Sequence, residues 1–216
     1  MRSHSSLIVT AAALLGLGLS GCGGSSSSDD SSSVAVDDLP AGRYVVAVGD
    51  ASAPTAGKYY AAGDGTRLLV LSDGDDRATQ TYRRAAGQSW QAVPATSGAP
   101  VTLLSHSVLP GPSPTLAVAS IAGNYIAPVG NGKFARFAVG ADGQITAGAT
   151  ACKLSGRLTP SALPQALNAK LTATDCGDLP TTTEGSLIAD DDYAPARFRL
   201  VSDDDRRTLE LWAYAE

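Results

Sequence analysis

Two cysteines, Cys152 and Cys176, have the spacing that most directly implies chemistry in this chain. We expect their strands to form a hairpin with its loop near Pro160–Pro164, and pairing symmetric about position 164 then places the two thiols opposite each other. The same register places Lys153 opposite Asp175, an opposite-charge pair. A redox pair or a metal site would favour a Cys-x-x-Cys spacing or a nearby histidine, and the sequence has neither. The pattern therefore predicts a structural disulfide.

His106, within Ser105-His106-Ser107, is the one histidine beyond the first few residues. A Ser–His nucleophilic site needs a base within hydrogen-bond reach and usually a third group that orients it. The sequence contains no Gly-x-Ser-x-Gly elbow. Zinc sites mostly use several His or Cys ligands. We therefore expect His106 to be a strand-face residue, with catalysis as the alternative, and we assign no catalytic residue and no metal ligand.

Carboxylates occur in three short clusters, which could suggest calcium binding. An EF-hand loop needs oxygen ligands at positions 1, 3 and 5, a Gly at 6 and a distal Glu, and none of the clusters fits. Aspartate also suits turns because it caps its own backbone. The sequence favours solvated hairpin tips, with weak calcium binding as the alternative, for Asp73/Asp75/Asp76, Asp190/Asp191/Asp192 and Asp203/Asp204/Asp205.

A glycosidase would need a selected pair of carboxylates, and nothing in the spacing of Glu184, Glu210 and Glu216 or of the aspartates selects one. Aromatic residues beside arginines could instead form a surface for a ligand or partner. Packing within β-rich strands is the favoured alternative. The residues in question are Tyr59, Tyr60, Tyr82 and Trp90, beside Arg83 and Arg84.

The elements that must position these residues are predicted to be short strands. Gly 23 and Pro 12 punctuate the 216 residues, and turn signals such as Asn131-Gly132 separate short apolar runs. We expect an all-β fold with two small antiparallel modules, at 39–109 and 118–216, joined by a Pro-rich linker at 110–117. The second module offers eight strands with short connections, which predicts a meander barrel or a sandwich. It resembles the small β-barrel domains of bacterial lipoproteins, a likeness that implies no catalytic motif.

A weak internal repeat marks the start of each module. Ala41-Gly42-Arg43-Tyr44 opens the first, and Ala122-Gly123-Asn124-Tyr125 opens the second. A second similarity relates Leu71-Ser72-Asp73 to Val201-Ser202-Asp203. Either an ancient duplication or shared turn residues would produce these similarities.

The first residues have the pattern of a targeting signal. Leu7–Leu19 is an apolar run too short to span a bilayer, which takes roughly 20 residues, and it follows a short n-region with one positive charge. Leu19-Ser20-Gly21-Cys22 resembles the lipobox of bacterial lipoproteins. The resemblance implies a signal peptide at 1–21, cleavage before Cys22, a diacylglycerol on its thiol and acylation of its new amino group.

A tether follows that motif. Residues 22–38 contain a run of Gly, Ser and Asp that cannot build a core and is predicted to be disordered. The residue after Cys22 is Gly23; in lipoproteins of enteric bacteria an Asp there favours inner-membrane retention, so Gly23 favours the outer membrane. We expect a lipid-anchored protein at the periplasmic face or the cell surface. That oxidising compartment also permits the disulfide.

Composition excludes further classes of function. Lys+Arg 16 against Asp+Glu 21 gives a net charge of −5, which lacks the electrostatic footprint of a nucleic-acid binder. No cofactor motif is present. We expect a non-enzymatic binding or structural role in the envelope, with the membrane and an envelope protein as partners. The alternatives are a periplasmic inhibitor or accessory subunit docking an envelope enzyme or transporter, and a hydrolase with an unrecognised site.

The lipobox generates a direct test. Cys22→Ser should release the protein from membranes or leave it unprocessed, because the modified thiol is then absent. Membrane fractionation and intact-mass measurement of the protein from its native host check this. A wild-type chain that is unlipidated and fully soluble would contradict it.

Overall fold

The computed structural model describes residues 34–96, 100–111, 115–204 and 206–216, and this part of the chain is all-β, with two short 3₁₀ turns and no α-helix. The proposed signal peptide, Cys22 and most of the tether lie outside the described residues, as do Asp205 and the centre of the Pro-rich linker. The strands form two antiparallel sheets, as the turn pattern predicted. No helix within the described ranges is long and apolar enough to cross a membrane.

The first sheet has six strands in the order β5-β4-β3-β2-β1-β6. Five of them form a meander, and β6 returns to pair with β1 at the far edge. The strands are β1 (Gly42–Asp50), β2 (Ala53–Ala61), β3 (Arg67–Ser72), β4 (Ala78–Arg84), β5 (Gln91–Val93) and β6 (Leu103–Val108).

The second sheet is a closed barrel in which eight strands follow one another in chain order. Its first hairpin turns at Asn131-Gly132, where both residues have positive φ, 51° and 69°, as a type I′ turn requires. The strands are β7 (Gly123–Gly130), β8 (Lys133–Val139), β9 (Gln144–Ala147), β10 (Lys153–Pro160), β11 (Ala166–Thr174), β12 (Thr182–Ile188), β13 (Phe198–Asp203) and β14 (Thr208–Ala215).

Alternation along the strands gives three buried clusters. The barrel interior is filled by side chains such as Phe137, Leu154 and Phe198. The outer face of the six-stranded sheet is covered by Val34, Val36 and Leu39. Residues 34–38 of the predicted tether are therefore part of the folded unit. The third cluster lies between the sheet and the outer wall of the barrel, and contains Tyr60, Leu68, Val70, Leu163, Ala166, Ile188, Tyr193 and Val201. The two sheets therefore share a core and form one compact unit.

The repeated Ala-Gly-x-Tyr sequence has the same local structure at both sites. The Tyr44 hydroxyl donates to the carbonyl of Pro40, and the Tyr125 hydroxyl donates to the carbonyl of Ile121, each four residues upstream. Each tyrosine ring packs over the glycine two residues before it, where a Cβ would come within 3.2 Å of Tyr44 and 3.4 Å of Tyr125. A Cβ would make a tight contact at Gly42 and an ordinary van der Waals contact at Gly123, so each ring packs directly on the glycine backbone.

The disulfide between Cys152 and Cys176 is present, and the Cα atoms of the two residues are 4.4 Å apart. The predicted register was wrong by one residue: Lys153 pairs with Thr174, and its ammonium donates to the carbonyl of Gly148. Asp175 has a φ of 57° and adds one residue beyond the end of β11. This extra residue brings Cys176 back to Cys152 even though the strands pair one position earlier.

Replacing both cysteines by alanine should lower the free energy of unfolding by about 2–4 kcal/mol without abolishing the fold. The bond closes a long loop of the unfolded chain, whereas the barrel interior is large enough to survive its loss. A denaturant melt of Cys152→Ala/Cys176→Ala against wild type checks this. An unchanged midpoint would contradict a structural role for the bond.

Candidate functional site

A cleft of about 970 Å³ opens where the six-stranded sheet meets the barrel. The sheet contributes side chains from β1, β2 and the β3–β4 hairpin, and the barrel contributes β7, β14 and the segment around the second 3₁₀ turn. Apolar and aromatic groups stand beside paired charges in its wall. The residues that bear on its chemistry are Val45, Ala56, Lys58, Arg77, Pro128, Asp192, Tyr193, Arg199, Glu210, Trp212 and Tyr214.

The cleft follows a seam in the barrel between β7 and β14. These strands pair at Ala215↔Tyr125 and Tyr214↔Ile126, and their ladder ends there. The Glu216 N–H donates to the carbonyl of Asn124, and in an antiparallel ladder every second residue pair is hydrogen-bonded. The hydrogen-bonded pair that would follow Tyr214↔Ile126 is therefore Trp212 with Pro128. Proline has no N–H to donate. β7 also shifts register against β8 between Pro128 and Gly130.

One wall of the junction is built around Asp190, whose side chain is only 1% exposed. Arg43 of β1 donates to its Oδ1 at 2.6 Å, and the Tyr60 hydroxyl donates to its Oδ2 at 2.5 Å. The Lys58 ammonium is 3.4 Å from the same Oδ2 and 2.6 Å from Asp192. Arg43, Lys58 and Tyr60, whose side chains bond this barrel carboxylate, all come from the sheet. The carboxylate therefore fixes how sheet and barrel fit together.

Two tyrosines complete this group. The Tyr60 and Tyr193 hydroxyls are 3.0 Å apart, and the Lys58 ammonium lies 3.9 Å from the centre of the Tyr193 ring. Burial raises the pKa of Tyr60 well above its ordinary value, and the nearby Tyr193 and Asp190 raise it further. Burial also raises the pKa of Tyr193. Both phenols therefore stay protonated at neutral pH, and Tyr60 acts as a permanent donor to Asp190.

A second ion pair, between β13 and β14 of the barrel, also lines the cleft, and both of its members bond the backbone of the sheet. The Arg199 guanidinium, 3% exposed, contacts the Glu210 carboxylate and lies 5.0 Å from the Trp212 ring. It also donates to the backbone carbonyl of Asp76 at 3.2 Å, and Glu210 accepts from the backbone N–H of Ala78 at 3.1 Å. The pair thus secures the β3–β4 hairpin to β13 and β14.

The acidic clusters do not share one environment. Asp73 caps its own turn, accepting from the backbone N–H groups of Asp75 and Arg77, as predicted. The prediction of a solvated tip was wrong for Asp190, and for Asp203, whose side chain is 8% exposed and bonds Arg83 at 2.5 Å. Both carboxylates are buried because a cation from the other sheet reaches them. Within the described residues, no three His, Cys, Asp or Glu side chains are grouped closely enough to hold a metal ion.

The remaining candidate residues lie away from the cleft or serve packing. His106 is on the exposed edge strand β6 and packs edge-on against Tyr44, with ring centres 5.9 Å apart. Tyr59, Tyr82 and Trp90 are buried in the cluster on the outer face of the sheet, as the packing alternative predicted. Sequence reasoning missed the role of Lys58 and Arg199. The acidic partners of Lys58 are more than 130 residues away along the chain, whereas Arg199 pairs with Glu210 on the neighbouring strand of its own hairpin.

The chemistry that this cleft offers is recognition by shape and polarity. Its buried cations each have a carboxylate partner, so they position the wall and also present polar groups to the cleft. Val45, Trp212 and Tyr214 add apolar and aromatic surface beside them. An apolar wall with a few fixed polar groups is typical of binding pockets.

Comparisons with known proteins place no further constraint on this site. No protein-family model, no curated protein and no solved structure matches the chain.

Replacing Asp190 should be far more costly than replacing its neighbour Asp192. Asp190→Asn should lower the free energy of unfolding by about 3–5 kcal/mol, because it leaves Arg43 as a buried cation without its carboxylate. Asp192 is 50% exposed, so Asp192→Asn should cost less than about 1 kcal/mol. Denaturant melts of both variants check this, and equal losses would contradict the role assigned to Asp190.

Proposed function

We propose that the chain is a lipid-anchored protein of the bacterial envelope that acts by binding, and that the cleft between sheet and barrel is where it holds its ligand or partner. The membrane is reached through Cys22, and the tether holds the folded unit clear of the headgroups. The role is non-enzymatic, and neither a cofactor nor nucleic acid takes part.

The anchoring half of the proposal rests on the sequence. An apolar run, the motif Leu19-Ser20-Gly21-Cys22 and an uncharged start to the tether occur in the order that a lipoprotein needs. Export to an oxidising compartment also agrees with the Cys152–Cys176 bond, because such bonds are rare in the cytosol.

The binding half rests on the seam between β7 and β14. A closed barrel normally pairs each strand with both neighbours and so leaves no open strand edge. Here Pro128 ends the pairing, and the cleft along the opening is lined by Trp212 and Tyr214 as well as by apolar groups of the barrel interior, such as Leu211. Aromatic side chains of this kind carry much of the energy in protein interfaces.

The composition of the wall favours a ligand with both polar and apolar parts. Lys58, Arg199 and their carboxylates provide fixed donors and acceptors, whereas Val45 and Tyr214 provide apolar surface. A segment of another envelope protein has this mixed character. An accessory role beside an envelope enzyme or transporter would use the same surface.

Filling the cleft should remove binding while leaving the fold intact. Ala56 is an exposed residue of β2 in the cleft wall, so Ala56→Trp places a bulky ring in the opening. Ala53, on the same strand and equally exposed, lies outside the cleft, which makes Ala53→Trp the matched control. Cross-linking in intact cells and native mass spectrometry of the purified chain should show a bound species for wild type and Ala53→Trp and none for Ala56→Trp.

Melting curves of the two variants separate blocking from unfolding, and both should match wild type. A bound species that persists in a folded Ala56→Trp variant would show that the cleft is not the binding site. Loss of binding in both variants would show that the surface of β2, and not the cleft, is what the partner contacts.

A further inference from the structure

The edge strand β6 leaves one side of its backbone open. It pairs with β1 on its other side, and no strand of the described residues lies beyond it in the sheet. Its side chains are exposed along most of its length, including Leu104 at 41% and Val108 at 68%. Proteins usually protect such edges with lysines, prolines or very short strands. The opposite edge follows that rule, because β5 has three residues and Pro94 follows it, whereas β6 carries no charge and no proline.

The direction of the open backbone groups follows from the pairing with β1. The Leu109 N–H donates to the carbonyl of Arg43, so hydrogen bonds to β1 fall at Leu109 and at alternate residues before it. The N–H and C=O of His106 and Val108 therefore point away from β1. They present donors and acceptors at the spacing that another strand would need.

The sequence of β6 is nearly the same in both directions about His106. Ser105 corresponds to Ser107, Leu104 to Val108, and Leu103 to Leu109. A two-fold axis through an antiparallel strand pair places residue i of one copy opposite the residue in the mirrored position of the other. Across such an axis each side chain of β6 would lie opposite a similar side chain of the second copy. A serine would face a serine, and an apolar residue would face an apolar residue.

We propose that β6 pairs with β6 of a second copy of this chain, antiparallel and centred on His106, so that the two six-stranded sheets become one continuous sheet. His106 then lies opposite His106 of the second copy, at a position where both residues point N–H and C=O across the new edge. Leu104 lies opposite Val108, so the pairing covers these two apolar side chains of β6, which are exposed in a single copy.

The chain itself limits the length of this pairing. Before Leu104 the edge is already used, because Val101 bridges to Val36 and the Leu103 N–H donates to the carboxylate of Asp37. After Val108 the strand ends and Pro110 follows. The open stretch is therefore Leu104–Val108, whose centre is His106. A partner strand of the same length and the same centre fits it, and a second copy provides one.

The register gives a sharp cross-linking test. The full chain carrying Cys22→Ser removes the one cysteine outside the disulfide. In that background His106→Cys should form a disulfide-linked dimer under mild oxidation, because opposed antiparallel residues have Cα atoms roughly 4.5–5.5 Å apart, within disulfide range. Ser105 of one copy faces Ser107 of the other, so a mixture of the Ser105→Cys and Ser107→Cys variants should give more disulfide-linked dimer than either variant gives alone. Thr146→Cys, exposed on β9, is the control and should stay monomeric.

Sedimentation velocity tests the same contact without added cysteines. The wild-type chain should sediment with twice the monomer mass at high concentration. His106→Lys puts two like charges opposite each other and should raise the dissociation constant of the dimer at least tenfold. Val108→Lys should act in the same direction. Both side chains are exposed, so the melting point should not change at concentrations at which the wild-type chain is monomeric. A single monomer mass at all concentrations, or a dimer unaffected by both lysines, would overturn the proposal.

Discussion

The carboxylate of Asp190 is the group on which the arrangement of the two sheets depends. It is buried on the barrel side of the junction, and its partners Arg43, Lys58 and Tyr60 all come from the first two strands of the sheet. A buried charge is tolerated only when cations and donors reach it. Neither sheet can therefore separate from the other without leaving a charge unpaired, and this explains why two predicted modules form one compact unit.

The cleft is a consequence of the same arrangement. The sheet covers the outer wall of β11 to β14, where Ile188, Val201 and Tyr193 meet Tyr60 and Val70. It ends near β7, at the place where Pro128 interrupts the pairing with β14. A barrel strand that lacks one N–H and an apolar sheet face that stops short leave an opening with rigid walls. Lys58 and Arg199, each paired with a carboxylate, stand in the wall of this opening.

Local signals in the sequence predicted most of the fold, and the misses were non-local. The Asn131-Gly132 turn and the spacing of the cysteines each depend on neighbouring residues, and the all-β fold, the eight-stranded barrel and the disulfide followed from such features. The hairpin register failed because nothing nearby marks Asp175 as a left-handed residue. Asp190 failed for a stronger reason: its environment is made by Arg43, 147 residues away, so an aspartate run in a turn looks the same whether it is solvated or buried.

The two internal similarities lead to different conclusions about the origin of the repeat. Ala-Gly-x-Tyr opens β1 and β7, the first strands of the sheet and of the barrel, and its structure is the same in both. Leu71-Ser72-Asp73 and Val201-Ser202-Asp203 end β3 and β13, the third strand of one sheet and the seventh of the other. A duplication of whole modules would place both similarities at equivalent strands. The first is therefore best understood as a local arrangement: a tyrosine hydroxyl satisfies a carbonyl just before the strand, and its ring packs over the glycine two residues before it.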